Sequence, residues 1–336
     1  MEQNSRLVTE LLKNWDTCCQ SGETVDVVEE MRQITLAVIV RALFSVDLDF
    51  SANQALYIAI VNANLLMFKR HMSLIPPPAC FPSPLNLAID KTRRVMDEFI
   101  LDQLQQKQAN DSGDIKDIAD HLLVEELRGE INRQQILNEI RTLLVAGFET
   151  TATSLAWTLY LVAKEPRVQK SWRAELSSVL RGRPPAWGDM NKLSLTEAIV
   201  MEALRLFPPA CGVTRSAKED SILKGVTIPA GSDMVLSIYG IQRDEATWLD
   251  ADVFRPGRFL DAWPRHGFIP FGLGRHICLG SRFSMLESMV IVVCVGQRFR
   301  LAQAEQEEVN PEVGVTLLPD RAIRLQLGRV ASHAST

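Results

Sequence analysis

The feature that most limits what this chain can fold into is a glycine-rich segment with one cysteine, followed directly by an apolar run. Residues 271–280 read FGLGRHICLG, and residues 283–293 read FSMLESMVIVV. Three glycines allow the backbone to take positive φ and to approach a flat ligand closely; they are Gly272, Gly274 and Gly280. The apolar run predicts a helix, so Cys278 would lie at or near a helix N-terminus, where the dipole favours a thiolate over a thiol.

The ordinary interpretation of a lone cysteine is a core residue in a tight turn. Cys278 has no second cysteine nearby, whereas a zinc site needs four ligands. A buried, single thiolate instead suits one axial bond to a haem iron better than it suits a zinc site. Arg275 and His276 add positive or hydrogen-bonding groups beside it.

The complete segment resembles the haem-ligand loop of the cytochrome P-450 superfamily. That loop has Phe, two residues, Gly, one residue, Arg or His, one residue, Cys, one residue and Gly. Every place is filled here, by Phe271, Gly274, His276, Cys278 and Gly280. The resemblance implies that haem b is bound, with Cys278 as the axial thiolate to the iron and the other four residues around the cofactor.

A second motif lies inside the longest periodic segment, a predicted helix from about residue 131 to beyond 161. Residues 146–151 read AGFETT. A glycine and hydroxyl residues weaken a helix centre, and a threonine hydroxyl can bond a backbone carbonyl or a ligand. The alternative is an ordinary helix with some polar residues. The motif resembles the oxygen-activation segment of the superfamily, which implies that Thr150 hydrogen-bonds dioxygen and Glu149 helps to relay protons.

Glu202 and Arg205 are spaced to share one helix face. A surface pair at this spacing contributes about 0.2–0.5 kcal/mol, which is the plain alternative. The pair resembles the Glu-x-x-Arg motif of the superfamily, in which both residues are buried and bond a later arginine beneath the haem loop. Residues 254–259 read FRPGRF, so Arg258 would complete this structural triad, although Gly257 stands where many relatives have Glu.

Two further polar positions follow the Pro-Pro turn at residues 208–209. Arg215 begins a predicted strand, and the resemblance implies that its planar guanidinium binds a haem propionate. A solvated arginine at a strand end is the alternative. Residues 242–244 read QRD, and Trp248 follows. They resemble the His-Arg-Asp segment of the superfamily with Gln in place of His, and the alternative is a polar surface turn with one anchoring tryptophan.

A proline-rich segment breaks the helical pattern near residue 76. Residues 76–78 are all Pro, and an apolar cluster precedes them, consisting of Met67, Phe68, Met72, Leu74 and Ile75. Packing of a helix end is the commoner fate of such a cluster. The resemblance implies instead a lid over the distal haem face, and Phe68, Met72 and Ala146 are then expected to contact the substrate.

Periodicity predicts a mainly α chain with a small β part. Helices are predicted over residues 6–20, 24–45, 52–72, 85–108, 114–127, 131–161, 166–180, 195–206 and from the cysteine loop to about 298, with a turn at 110–113. Strands are predicted at 226–231 and 234–238 around a Pro-Ala-Gly turn, and at 313–318 and 323–325. The resemblance implies the P-450 fold, with a long central helix, the haem between it and the Cys-loop helix, and small β-sheets. A single domain is expected over residues 1–330, with a C-terminal tail over 331–336.

The front of the chain departs most from the superfamily pattern. Residues 1–20 resemble a helix that comes after the one carrying Trp-x-x-x-Arg, a pattern that does not precede them in the right context. The chain therefore resembles a member lacking its N-terminal β region and first helices.

Composition excludes several other classes of protein. The 336 residues are 46% hydrophobic and carry a net charge of −5, so no global basic field indicates a nucleic acid as partner. Six cysteines without a C-x-x-C pair indicate a reducing cytoplasm rather than a disulfide framework. No apolar run is long enough to span a bilayer.

The resemblance implies a haem-dependent monooxygenase that inserts one atom of O2 into an apolar small molecule, such as a fatty acid, terpenoid or secondary metabolite. Electrons would come from an external donor, a ferredoxin or a flavoprotein reductase. A haem-thiolate peroxygenase or isomerase is one alternative, although Glu149 and Thr150 argue against it because neither activity needs a proton relay to dioxygen. A catalytically impaired remnant or a haem-binding regulator is the other.

Overall fold

The computed structural model describes residues 2–109 and 114–330, so the turn predicted at 110–113 and the tail at 331–336 lie outside the described residues. The helices are α1 (Glu2–Leu11), α2 (Lys13–Ser21), α3 (Val27–Phe44), α4 (Gln54–His71), α5 (Pro84–Ala109), α6 (Ile118–Leu127), α7 (Arg133–Lys164), α8 (Pro166–Leu180), α9 (Ser194–Leu206), α10 (Ile238–Ile241) and α11 (Ser281–Arg298). The strands are β1 (Thr24–Asp26), β2 (Gly212–Ser216), β3 (Ser221–Leu223), β4 (Val226–Ile228), β5 (Asp233–Ser237), β6 (Phe299–Gln303), β7 (Pro311–Val313), β8 (Leu317–Pro319) and β9 (Arg324–Arg329). This mainly helical architecture with small antiparallel sheets confirms the predicted fold class.

Local signals fixed most helix ends. The helix α8 begins and ends where it was predicted, because Pro166 at its first turn needs no backbone N–H partner and Arg181 ends it in the left-handed conformation. The helix predicted over 6–20 is instead interrupted at Leu12, whose carbonyl accepts the amide of Trp15 in a tight turn. These two outcomes show that caps define helix ends more firmly than the apolar periodicity between them.

The strands depart from the prediction at β1, and their pairing was not predicted. Residues 24–26, predicted to begin a helix, form β1, which pairs with β9. The strands predicted on both sides of the Pro-Ala-Gly turn exist, but they do not pair with each other; β4 pairs with β3, and β5 pairs with β2. The turn between β3 and β4 is made by Lys224 and Gly225, both at positive φ, which is the geometry that closes a two-residue hairpin.

The described chain divides into two compact units, each with its own core. The first comprises Val28–Ala152, and its buried core includes Phe44, Ile60, Ile100 and Phe148.

The second unit comprises residues up to Val27 and those from Thr153 onwards. In its core Trp157 stacks on Phe207 at a centroid distance of 4.0 Å. A Cβ at Gly296 of α11 would approach the Trp172 ring of α8 to 2.4 Å, so these two helices pack closely only because that position is glycine.

No helix among the described residues has the length and apolar content needed to cross a bilayer.

Candidate functional site

The cysteine loop, residues 271–280, leads directly into α11. Gly272 and Gly274 have φ of +74° and +70°, as expected, and the amide of Cys278 donates to the carbonyl of Phe271 at 2.9 Å to close the loop. The expectation for Gly280 was wrong, because its φ is −82°. A Cβ on Gly280 would lie 3.9 Å from the Cys278 sulfur, so the glycine leaves open space beside the thiol rather than permitting an unusual backbone.

The expectation of a buried Cys278 was wrong, because its thiol is exposed, as are the apolar side chains beside it. Leu279, Leu273 and Ile277 are 91%, 66% and 55% exposed, and the imidazole of His276 is also exposed. Apolar area left in water is unfavourable by about 25 cal/mol per Å². A thiol surrounded in this way fits a large, flat, apolar group with a metal at its centre, so the residues present are compatible with haem.

A second cysteine on α11 has the opposite environment. Cys294 is buried, its sulfur lies 3.7 Å from the hydroxyl of Ser5, and burial raises the pKa of its thiol. A buried neutral thiol is a poor metal ligand because the thiolate is the ligating form. Of these two cysteines, Cys278 has the accessible thiol and Cys294 the buried one.

The structure brings Glu202, Arg205 and Arg258 together. Arg205 donates to both carboxylate oxygens of Glu202, at 2.8 and 2.9 Å, and Arg258 Nε donates at 2.9 Å. The amide of Arg255 adds a further bond at 2.9 Å. Glu202 and Arg205 are completely buried, so this is a buried ion-pair network and not the surface pair that was the alternative.

Gln242 joins this network to the cysteine loop. Its side-chain amide donates to the carbonyls of Leu204 and Arg205 at 2.9 and 3.0 Å, and its Oε1 accepts the amide of Ile269 at 2.8 Å. The polar surface turn considered for this segment was wrong, because Gln242 is completely buried. Gln242 thus links the segment just before the cysteine loop to α9, the helix that carries Glu202 and Arg205.

Two neighbouring positions have simpler surroundings. Trp248 is buried, and its indole donates to the carbonyl of Gly267 at 3.1 Å. Arg215 lies within β2, where its side chain is exposed and donates to the carbonyl of Thr214 at 2.8 Å. Trp248 therefore anchors the segment before the cysteine loop, whereas the Arg215 side chain stays exposed at the surface of the sheet.

The α7 motif presents its two polar residues differently. Thr150 is half-buried and its hydroxyl donates to the carbonyl of Ala146, which is exposed, at 2.6 Å. Glu149 is 3% exposed and faces α3. A Cβ on Gly147 would meet Ile39 of α3 at 3.1 Å, so the glycine allows α3 to pack closely against this part of α7.

Sequence reasoning missed the partner of Glu149. Arg32 of α3 donates to Glu149 Oε1 from Nη2 at 2.6 Å and from Nε at 3.2 Å. The two residues are 117 positions apart, so no local pattern could have paired them. Beside them, the hydroxyl of Tyr57 donates to Glu29 at 2.6 Å.

The proline-rich segment is tied to α5 through Asn86, whereas the end of α4 that precedes it is more open. Asn86 is buried, accepts a bond from Arg70 and donates to the carbonyls of Pro78 and Phe81 at 2.8 and 2.7 Å. Phe68 is half-buried, and Met72 is 64% exposed. Met72 therefore does not pack a helix end, whereas Phe68 partly does.

Comparisons with known proteins agree with these features. The family model for Cytochrome P450 matches residues 5–327. Cyclooctatin synthase of Streptomyces melanosporofaciens is 31% identical to this chain over 90% of the chain and 67% of that protein. Pentalenene oxygenase of Streptomyces avermitilis is 30% identical over 91% of the chain and 69% of that protein.

A mammalian relative, leukotriene-B4 omega-hydroxylase 3 of Mus musculus, is 31% identical over 87% of the chain and 61% of that protein. The chain thus spans about two thirds of the length of these relatives. It belongs to the cytochrome P450 family, a family of oxidoreductases that hold a haem iron through a cysteine thiolate.

Proposed function

We propose that this chain is a haem-thiolate monooxygenase that inserts one atom of O2 into an apolar small molecule of the terpenoid class. The observation that carries the proposal is the exposed thiol of Cys278, set in an apolar, glycine-rich loop directly before α11. The buried triad and Gln242 support it, because they hold the start of that loop in place.

Each residue has a distinct role in this proposal. Cys278 would hold the haem iron through its thiolate, and Phe271, Gly274, His276 and Gly280 would shape the loop around it. Arg215 would bind an anionic group of the cofactor. When bound, haem supplies the iron chemistry that activates dioxygen. Thr150 donates a hydrogen bond on the open face of α7, and Glu149 holds a proton-exchanging carboxylate on its other side.

The substrate and partners follow from the same reasoning. The names of two relatives, cyclooctatin synthase and pentalenene oxygenase, support a terpenoid, and leukotriene-B4 omega-hydroxylase 3 makes a fatty acid the second candidate. Electrons come from a separate ferredoxin or flavoprotein reductase. No disulfide joins cysteines among the described residues, which favours the cytoplasm as location.

Isotopically labelled O2 tests this function. The haem-loaded chain is supplied with NADPH, a ferredoxin and its reductase, with pentalenene in one sample and leukotriene B4 in another. Mass spectrometry is expected to find one labelled oxygen atom in a product. Product that forms only when hydrogen peroxide is added indicates a peroxygenase. A rearranged product without new oxygen indicates an isomerase. Haem uptake without turnover indicates a remnant or a regulator.

Replacement of Thr150 by Ala is expected to leave haem binding unchanged and to raise the fraction of electrons lost to hydrogen peroxide severalfold. The reason is that the substitution removes the hydroxyl that would donate a hydrogen bond to dioxygen. The measurement is the ratio of product and peroxide to NADPH consumed. Thr142→Ala is the matched control, since Thr142 makes the same bond to the carbonyl four residues back, at 2.8 Å. Equal coupling in the two variants would contradict the assignment of Thr150.

Replacement of Phe68 or Met72 by Ala is expected to change the affinity for pentalenene or leukotriene B4, or the position at which they are oxygenated. The reduced–CO difference spectrum of the haem-loaded chain should stay unchanged. Both residues lie at the end of α4, shortly before the proline-rich segment, where flexible apolar side chains can adapt to a guest. Leu127→Ala is the control, because Leu127 is exposed at the end of α6. If both variants unfold the protein and neither shifts product position, the segment packs a core and is not a lid.

A further inference from the structure

One face of α4 is exposed to solvent although half of its side chains are large and apolar. Its residues recur three and four positions apart along the helix, and all of them are exposed; they are Ala55, Ile58, Asn62, Leu65, Lys69 and Met72. Ile58, Leu65 and Met72 follow each other at intervals of seven positions, and they are 49%, 50% and 64% exposed. A regular apolar row on an exposed helix face is typical of a surface that packs against another helix.

The opposite face of α4 is already packed inside its own unit. Leu56 and Ile60 share a buried core with Met96 of α5. Arg70, near the end of α4, donates to Asn86, near the start of α5, at 2.6 Å. The two helices therefore lie side by side and run in opposite directions, and the exposed face of α4 is left to solvent by the described residues.

The exposed face of α4 is complementary to itself when two copies lie antiparallel. In one register each residue of the face is opposite another residue of the same face, and the pairs are Asn62 with Leu65, Ile58 with Lys69, and Ala55 with Met72. A two-fold interface between identical chains requires such reciprocal pairing. The aliphatic stem of Lys69 would cover Ile58, and the two Asn62 amides would lie within one helical turn of each other, where they can form hydrogen bonds.

A pair of opposite charges fits the same arrangement. On α4, Ile58 lies twelve positions before Arg70. On α5, Glu98 lies twelve positions after Asn86, the residue bonded to Arg70. Because the helices run in opposite directions with the same rise per residue, Glu98 is level with Ile58. The residue opposite Ile58 in a second copy is Lys69, which can therefore reach Glu98.

Within one chain these two charges stay apart. Eleven positions separate Glu98 from the residue of α5 that is level with Lys69, which is about 16 Å along the helix axis. Both side chains are exposed, and neither forms an ion pair with another described residue. Lys91 and Arg94, exposed on α5 between these levels, would repel the same residues of a second copy, so the contact is centred on α4.

We propose that the exposed face of α4 is the interface of a two-fold homodimer. A second copy of this chain packs on it antiparallel through Ile58 and Leu65, and Lys69 of each copy pairs with Glu98 of the other. One pair of 18-residue helices covers less area than a standard interface, so the dimer dissociates at concentrations on the order of micromolar. Association of the chain through α4 does not depend on the oxygenase function proposed above.

Sedimentation velocity of the full 336-residue chain tests this interface from about 1 to about 100 µM, a range that brackets a weak dimer. The wild-type chain should shift from monomer towards dimer as the concentration rises. Leu65→Lys should raise the dissociation constant at least about tenfold, because it buries a charge in an apolar row that Lys91 and Arg94 already flank. The double variant Ile58→Ala/Leu65→Ala should weaken the dimer through lost apolar contact alone.

Leu127→Lys is the matched control for these variants. Leu127 is an exposed leucine at the end of α6, another helix of the same unit. Its replacement should leave the dissociation constant unchanged. All the replaced side chains are exposed, so each variant should keep the wild-type unfolding temperature, which separates loss of association from loss of the fold.

Exchange of the two charges shows whether the occupant of this face is a second copy. Lys69→Glu and Glu98→Lys should each raise the dissociation constant severalfold, because each brings two like charges together across the interface. The double variant Lys69→Glu/Glu98→Lys should return the constant to within about twofold of wild type, because the pair is restored in the reverse sense. A partner of another kind would not carry the compensating change.

Three results would overturn the proposal. The first is a wild-type chain that stays monomeric throughout this range, and the second is a dimer that Leu65→Lys leaves unchanged. The third is a charge-exchanged double variant as weak as the single variants. Flotation with vesicles of phosphatidylcholine and phosphatidylserine is the remaining comparison. If monomeric wild-type chain floats with them and Ile58→Ala/Leu65→Ala does not, lipid covers this face and the proposal fails.

Discussion

Replacement of Cys278 by Ser is expected to abolish the thiolate signature of the haem-loaded chain. A serine hydroxyl does not ionise near neutral pH, so it cannot replace a thiolate as the axial ligand. The measurement is the reduced–CO difference spectrum, in which thiolate-ligated haem absorbs at a longer wavelength than haem with a nitrogen or oxygen ligand. The expected effect is complete, because a single sulfur supplies the ligand.

Cys294→Ser is the matched control for this experiment. Cys294 lies on the helix that follows the loop, and its thiol is buried beside Ser5. A hydroxyl in its place should affect stability only slightly and should leave the thiolate spectrum intact. If Cys278→Ser keeps the wild-type spectrum and Cys294→Ser loses it, the ligand has been assigned to the wrong cysteine.

Replacement of Glu202 by Ala is expected to lower the free energy of unfolding by about 3–5 kcal/mol, because it leaves Arg205 charged and unpaired in the interior. Arg205 would keep its bonds to the carbonyls of Gln242 and Ala251, but its completely buried charge would lose its counter-ion. The arrangement beneath the cysteine loop should loosen as well, and haem uptake should fall. Denaturant unfolding and haem titration measure the two effects.

Glu125→Ala provides the control for Glu202. Glu125 pairs with Arg128 at the same spacing along a helix, at 2.8 Å, but this pair is largely exposed. Its loss should change stability by no more than about 0.5 kcal/mol. Similar losses in the two variants would show that burial of the triad contributes nothing to stability.

The sequence predicted well the secondary-structure elements whose ends are determined by neighbouring residues. The helix α8 has a proline at its start, and α11 follows a glycine-rich loop, so both were located closely. Strand partners were not predicted. The strand β1 pairs with β9 about 300 residues later in the chain, and local propensity contains no information about so distant a partner.

In the candidate site, too, contacts between residues close in sequence could be predicted, whereas contacts between distant residues could not. Glu202 and Arg205 could be paired by their spacing, but their complete burial could not be read from it. Gln242 was noticed only as a departure from a familiar motif. The structure gives its physical reason, since an amide side chain has donors and an acceptor and so serves two carbonyls and one N–H together. Arg32 had no sequence signal, because helix packing alone brings it to Glu149.

The most direct test of the haem-thiolate assignment is iron X-ray absorption on the wild-type chain loaded with haem. We expect one sulfur atom in the coordination shell of the iron. It should be present in wild type and in Cys294→Ser and absent in Cys278→Ser. A shell of nitrogen and oxygen alone in the wild-type chain, or a sulfur that persists in Cys278→Ser, would contradict it.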